Sequence, residues 1–336
     1  MSWKERRLIT ILSTILLILA IALVLVLALR YRENRTAQDS ADTAPTSGIV
    51  TDQDAFCSLT YDNGSTTLSF ERDDDGLWHW TADESLPLDD SVILDILTLL
   101  TNWKPQQTLT DAAALEASGL TEPTGSLTAA TESGVYTRLL FGKTTTDGAS
   151  RYVRLNEDES VVYIIDDGLF TLMKIPVYDM CRLPNLPVLE ESRIRAITIS
   201  GPEQEGQPGL VTSIVAQRTD EDSTTSWRAN GANVTDDPLV QSLLEDLTAL
   251  SFQKCIDYNP SEEAAAICGL DAPSASLHIS YVTETGTEQD LDLVIGSRLP
   301  DKSGRYARLD GETTIYLLAT DLLDPLMRIA SGGLDG

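Results

Sequence analysis

Arg151-Tyr152-Val153-Arg154-Leu155 is answered, about 150 residues later, by Arg305-Tyr306-Ala307-Arg308-Leu309. The surrounding residues return as well. Gly119-Leu120-Thr121-Glu122-Pro123 aligns with Gly269-Leu270-Asp271-Ala272-Pro273, and Leu140-Phe141-Gly142 aligns with Val294-Ile295-Gly296. Trp78 matches Trp227, Tyr163 matches Tyr316 and Met173 matches Met327, all in one order and at nearly one spacing. Self-similarity at a fixed offset marks a repeated structural unit, so the chain reads as a tandem duplication. Its joint falls in the proline-rich stretch Leu183-Pro184-Asn185-Leu186-Pro187.

Within a copy the pattern switches between period 2 and period 3.6. Ser58-Leu59-Thr60-Tyr61 and Thr67-Leu68-Ser69-Phe70 flank Asp62-Asn63-Gly64, and Asn-Gly between alternating segments signals a hairpin. A third strand over Leu77 to Thr81 follows the turn Asp73-Asp74-Asp75-Gly76. From Ser91, apolar residues at Val92, Ile93, Ile96, Leu97, Leu99, Leu100 and Trp103 form the stripe of an amphipathic helix. Its counterpart opens Asp237-Pro238, a helix cap followed by proline at the first helical position. A short alanine-rich helix then ends at Gly119 or Gly269, where a left-handed cap favours glycine. Strand pairs near Ser126 to Phe141 and Tyr152 to Ile165 follow, then a short helix over Leu169 to Lys174. Hairpins interrupted by helices predict an α+β fold with mostly antiparallel sheet.

Upstream, Leu8 to Leu29 is an uncharged run of 22 residues, long enough as a helix to cross the roughly 30 Å hydrocarbon layer. A secretory signal's apolar core is usually only about 7–15 residues. The spacing predicts a retained transmembrane helix. Lys4, Arg6 and Arg7 before it balance Arg30, Arg32 and Arg35 after it, so charge leaves the orientation tied. A single span near the N-terminus ahead of a long polar region reads as a signal-anchor, which places the rest outside the cytoplasm. The expected order is a cytoplasmic tail (1–7), a transmembrane helix (8–29) and a flexible tether (30–55). Then come a first α+β domain (56–182), a linker (183–192), a second α+β domain of the same topology (193–330) and a disordered tail (331–336).

The 336 residues carry 24 basic and 52 acidic side chains, a net charge of −28. The first 35 hold six basic and two acidic, so the remaining 301 carry 18 against 50, or −32. Such a surface repels phosphate, which excludes nucleic-acid binding through a basic face.

The order of hairpin, tryptophan-bearing strand, amphipathic helix, Gly-Leu-x-x-Pro, a strand ending Phe-Gly or Ile-Gly, and Arg-Tyr-x-Arg-Leu resembles the bacterial domain-of-unknown-function 4340 family. The resemblance covers roughly residues 57 to 330, once per copy. It implies a membrane-anchored envelope protein, of a kind often paired in gene clusters with transporter components. It supplies no catalytic residues.

Candidate chemistry is sparse. Gly142-Lys143-Thr144 imitates the end of a phosphate loop, but Thr137 stands where the first glycine is needed, and a turn between strands is expected there. The aspartate run at 73–75 lacks the closing glutamate of a calcium loop, with Ala82 at that position, and reads as a solvated hairpin tip, like Asp220-Glu221-Asp222. His79 and His278, the two histidines, occupy unrelated points of the copies and promise neither a triad nor a zinc site. Of Cys57, Cys181, Cys255 and Cys268, the last two flank a short helix and are candidates for a disulfide, against four reduced, mostly buried thiols. Arg151, Tyr152, Arg154, Arg305, Tyr306 and Arg308 are the one candidate ligand site: two arginines beside a tyrosine hold a carboxylate or phosphate, or else pair with acids along their strand.

No catalytic, cofactor-binding or metal-binding set is predicted. The leading expectation is a non-enzymatic accessory or scaffold protein that docks on a membrane protein, with transporter components as the implied partners. The alternatives are a binding protein for a small ligand or envelope polymer, and a carboxylate-dependent envelope hydrolase. The bilayer is the other partner, through residues 8–29.

Overall fold

Alternation of buried and half-buried residues, as in Ala275–Val282, produces strands throughout the chain, because successive side chains of a strand point to opposite faces. The computed structural model describes residues 46–47, 50–203, 208–218 and 225–334. The apolar span 8–29 and the tip Asp220-Glu221-Asp222 lie outside the described residues. Among those described, no helix is long and apolar enough to cross a membrane.

The strands are β1 (Thr46–Ser47), β2 (Phe56–Asp62), β3 (Thr67–Arg72), β4 (Trp78–Trp80), β5 (Gln107–Leu109), β6 (Gly125–Thr131), β7 (Val135–Thr144), β8 (Ser150–Leu155) and β9 (Val162–Asp166). Then follow β10 (Ile194–Ser200), β11 (Val211–Arg218), β12 (Thr225–Ala229), β13 (Ala232–Asn233), β14 (Phe252–Asp257), β15 (Ala275–Val282), β16 (Glu288–Arg298), β17 (Gly304–Leu309) and β18 (Ile315–Ala319). The helices are α1 (Ser91–Thr101), α2 (Ala112–Ala117), α3 (Gly168–Leu172), α4 (Pro238–Thr248), α5 (Glu262–Ile267) and α6 (Asp324–Gly332). The fold is therefore α+β.

The chain divides into two compact units, one formed by residues up to Gly76 with Ile93–Met173, the other by Leu77–Val92 with Lys174 onward. The first carries a sheet ordered β3-β2-β6-β7-β8-β9-β5, all neighbours antiparallel. The second carries β13-β12-β11-β10-β15-β16-β17-β18-β14, likewise antiparallel. From β3 and from β11 onward the two orders correspond strand for strand.

The stretch expected to be a loose tether is partly docked. β1 pairs in parallel with β7 at Val135 and Tyr136, a length of β7 that β8, paired from Leu139 to Thr144, leaves open. Gln53–Ala55 forms a 3-10 turn that Asp52 caps. Val50 also donates its N–H to Thr137 Oγ1 at 3.3 Å.

Each unit has its own core. In the first, α1 buries Ile93, Ile96, Leu97 and Leu100, and Leu59, Leu127, Leu139, Phe141 and Val153 are fully covered. In the second, Asp237 caps α4 by accepting from Leu239 and Val240 N–H, with Pro238 opening the helix. That fixes a face of Val240, Leu243, Leu244 and Leu247, each such side chain contributing about 1.5–3 kcal/mol by burial. Met180, Leu189 and Trp227 are buried as well, the Trp227 indole donating to Glu191 at 2.8 Å.

Candidate functional site

Gly119 and Gly269 end α2 and α5 at φ +73° and +70°, the left-handed geometry that glycine adopts freely. The turn so made aims the carbonyls of Ser118 and Cys268 at the following strands. Lys143 N–H donates to Ser118 O and Ser297 N–H donates to Cys268 O, both at 2.8 Å. A Cβ on Gly142 or Gly296 would lie 2.3 Å from those carbonyl oxygens. The register of β7 slips between Phe141 and Thr144, and that of β16 between Ile295 and Arg298. Gly142-Lys143-Thr144 is thus a bulge inside a strand, where a turn was expected; the turn proper starts at Thr145. The helix end gripping the strand edge explains the difference, since the bulge frees a strand N–H to meet the carbonyl.

The paired arginines serve this same joint. Arg151 is buried; its Nη1 donates to Gly142 O at 2.8 Å and Thr124 Oγ1 at 3.1 Å. Its Nε meets Asp167 Oδ1 at 2.5 Å, and its guanidinium lies 3.9 Å over the Phe170 ring. Arg305 repeats the central bond, Nη1 to Gly296 O at 3.0 Å. Tyr306 packs beside a cluster of Cys268, Leu270 and Ile315, and Tyr152 is half-buried on β8. Arg154 reaches Glu159 at 3.7 Å, while its Nε, like that of Arg308, is buried without a partner. The cavity of about 360 Å³ beside Arg154 is lined by Glu116 and Glu159, so two carboxylates against one guanidinium disfavour an anion there. Of the six residues picked from the sequence, Arg151 and Arg305 each brace the bulge of their own unit.

Sequence reasoning passed over a polar group on the second sheet. His278 and Ser280 lie on one face of β15, and β16 places Asp292 and Asp290 directly opposite them. His278 Nδ1 stands 2.6 Å from Asp292 Oδ1 and its Nε2 stands 3.3 Å from Ser280 Oγ. Ser280 donates to Asp290 at 2.7 Å. The connectivity is that of a Ser-His-Asp relay, but its setting is an open sheet face, with His278 44% and Asp292 45% exposed. β15 is paired on both sides, to β10 and β16, so its N–H groups are committed to the ladder and none is available as an oxyanion donor. The Ser280 proton points to Asp290. The group is a solvated hydrogen-bond chain rather than an acyl-transfer centre. The only signal for it was i, i+2 spacing plus a hairpin register that sequence does not fix.

The second overlooked feature is acidic. A groove of about 860 Å³ runs beside α4, α6 and the 3-10 turn Asp321–Leu323, lined by Asp237, Asp246, Asp321, Asp324 and Arg328 among others. Burial, then repulsion from Glu245, Asp321 and Asp324, pushes the Asp246 carboxyl above its ordinary range. Asp237 is occupied as a helix cap, and Arg328 is the one cation among the residues named in this lining. His79 lies on β4, half-buried.

A family model, Domain of unknown function (DUF4340), matches residues 78–234 and again residues 227–328. No curated protein and no solved structure matches the chain.

Proposed function

We propose, from the premise that the chain belongs to the DUF4340 family, that it is a membrane-anchored accessory or scaffold protein whose two domains dock on an envelope partner outside the cytoplasm. Residues 8–29 are its single transmembrane helix, and a transporter component is the partner the family resemblance favours. The observation that carries the reading is the acidic groove. Burial, and then the nearby carboxylates of Glu245, Asp321 and Asp324, raise the proton affinity of Asp246, an arrangement that works against folding and that a cationic surface relieves. A partner segment rich in Lys or Arg has that chemistry, and the charge of −32 beyond residue 35 steers its approach.

Two further facts support docking over a ligand site or a hydrolase. Arg151 and Arg305 are engaged by the Gly142 and Gly296 carbonyls, and the β15 N–H groups beside His278 are committed to the ladder. An anchor also confines the domains to the zone of other membrane proteins, which raises effective concentration.

The test is crosslinking and affinity purification from membranes of the full chain beside a version lacking residues 1–35. A partner recovered with the full chain, lost in high salt and weakened without the anchor, is the expected result. Failure of both to recover a partner, with turnover of a cell-wall substrate by the soluble version, replaces this reading with the hydrolase.

A further inference from the structure

All four cysteines are free in this structure, and the two that line one cavity, Cys181 and Cys255, are not the pair that the sequence offered as disulfide candidates. Cys268 ends α5 and packs with Leu270 and Ile315, beside Ile256. The register of β14 slips between Cys255 and Asp257, and Ile256 rather than Cys255 packs beside the Cys268 cluster. Cys255 lines a cavity with Cys181 instead. That residue follows the 3-10 turn Val177–Met180 and is held by a bridge to Leu88. The next residue, Arg182, fixes it further: its N–H donates to Pro87 O at 2.6 Å and its Nη2 to Leu88 O at 3.1 Å.

An ion pair clamps the two segments together, Lys254 Nζ to Asp179 Oδ1 at 2.6 Å. Cys181 and Cys255 line one cavity of about 200 Å³ with Tyr178, Asp179 and Lys254, where Cys181 Sγ lies 3.7 Å from the Arg182 carbonyl oxygen. All of these residues belong to the second unit.

We infer that Cys181 and Cys255 form a redox-active dithiol that closes to an intramolecular disulfide by exchange with a disulfide-bearing oxidant. The roles of the two sulfurs differ. Cys181 keeps some exposure while Cys255 has none; interaction with Cys255 lowers Cys181 below the ordinary thiol range, while interaction with Cys181 and burial raise Cys255. Cys181 is therefore the attacking thiolate, since the thiolate is the nucleophile. It attacks one sulfur of an oxidant RSSR, forming a mixed disulfide and releasing RS⁻. Cys255 then loses its proton to solvent and attacks the Cys181 sulfur, expelling the second RS⁻. Two protein thiols have given up two electrons and two protons, and RSSR has become two RSH.

Closure staples the residues preceding the proline-rich stretch to β14. Cys57, half-buried on β2, hydrogen-bonds the Ala130 carbonyl at 3.5 Å and takes no part. The chemistry is independent of which side of the membrane the domains occupy, so it stands or falls apart from the docking proposal.

The test uses the full chain in detergent, equilibrated with reduced and oxidised glutathione, then acid-quenched for intact mass and peptide mapping. The expected result is a loss of two hydrogens and one crosslinked peptide pair, Cys181 with Cys255. It should be abolished in Cys181→Ser, retained in Cys268→Ser, and accompanied by a higher Tm than the reduced chain. A Cys255–Cys268 crosslink, or glutathione adducts that never resolve to an internal bridge, overturns it. Cys255→Ser should lose the bridge as well and leave the attacking Cys181 alone, and capture of Cys181 there as a glutathione adduct confirms that the loss of the bridge is chemical and not misfolding. A bridge that forms in vitro while the chain quenched in cells is fully reduced upholds the dithiol and removes the extracytoplasmic placement.

Discussion

β6 sets Thr128 opposite Arg138, and β15, at the same register of the corresponding strand pair, sets His278 opposite Asp292. One copy shows the solvent a guanidinium at that point and the other a carboxylate-bound imidazole. Yet behind this divergent face the joint between helix and strand is the same in both: Ser118 O to Lys143 N–H and Cys268 O to Ser297 N–H, each at 2.8 Å. The residues the copies share therefore hold the unit together, and the docking proposed above draws on residues they do not share, those of the acidic groove.

Substitution of Gly142 or Gly296 by Val breaks the comparison hardest. The new Cβ meets a backbone carbonyl 2.3 Å away in either copy, so backbone must shift, and each change costs about 4 kcal/mol, the upper end for single substitutions. Denaturant unfolding of the version lacking residues 1–35 measures it. Tolerance at one position alone shows that the joints are not equivalent.

The arginines sharpen the difference. Arg151→Ala strands Asp167 and uncovers Phe170, costing about 3 kcal/mol as for a broken buried pair. Arg305 has Thr320 where the first copy has Asp167, by the spacing of Tyr163 and Tyr316, and Arg305→Ala loses one carbonyl bond, about 1 kcal/mol. Equal losses in the same unfolding assay contradict the assignment of Asp167 as the added brace.

Gly119→Val and Gly269→Val should each cost about 1 kcal/mol or more, from the left-handed backbone. The second should cost more. Its Cβ would face Ser297 Oγ at 2.3 Å and the Ser297 backbone N at 3.0 Å, whereas the first meets only the flexible Lys143 side chain. A reversed order in melting temperature argues against this reading.

The smallest effect has a pH signature. Asp246 is raised in the folded state, so the unfolded chain releases that proton first as pH rises. Stability is full below the ordinary carboxylate range and is eroded as pH climbs through the raised value. Asp246→Asn should therefore stabilise slightly at neutral pH and not at all in acid. A gain that persists in acid points to packing instead of charge.

Much of the fold was legible because its signals are local. Asp237-Pro238 announces α4, and the glycines at 119 and 269 announce left-handed turns, whatever the rest of the chain does. The sites were hidden because they are assembled from distant residues. Asp246 meets Asp321 and Asp324 only after α6 returns beside α4, and Cys181 and Cys255 come to line one cavity only because residues 174 onward group in one unit. Asp292 faces His278 through a hairpin register set by the turn at 283–287, where Thr283 N–H bonds Thr287 O. The shared arginines were found but their role was not, since a buried carbonyl partner leaves no mark in sequence.

The most direct test of the central claim is partner capture from membranes by the full chain carrying Asp246→Asn, Asp321→Asn and Asp324→Asn together, beside the unaltered chain. With the fold verified by an unchanged or higher melting temperature, the triple variant should lose the salt-sensitive partner, while Arg305→Ala, folded but weakened, should keep it. Full recovery by the triple variant, with loss in Arg305→Ala, would contradict the account and move recognition back to the residues the two copies share.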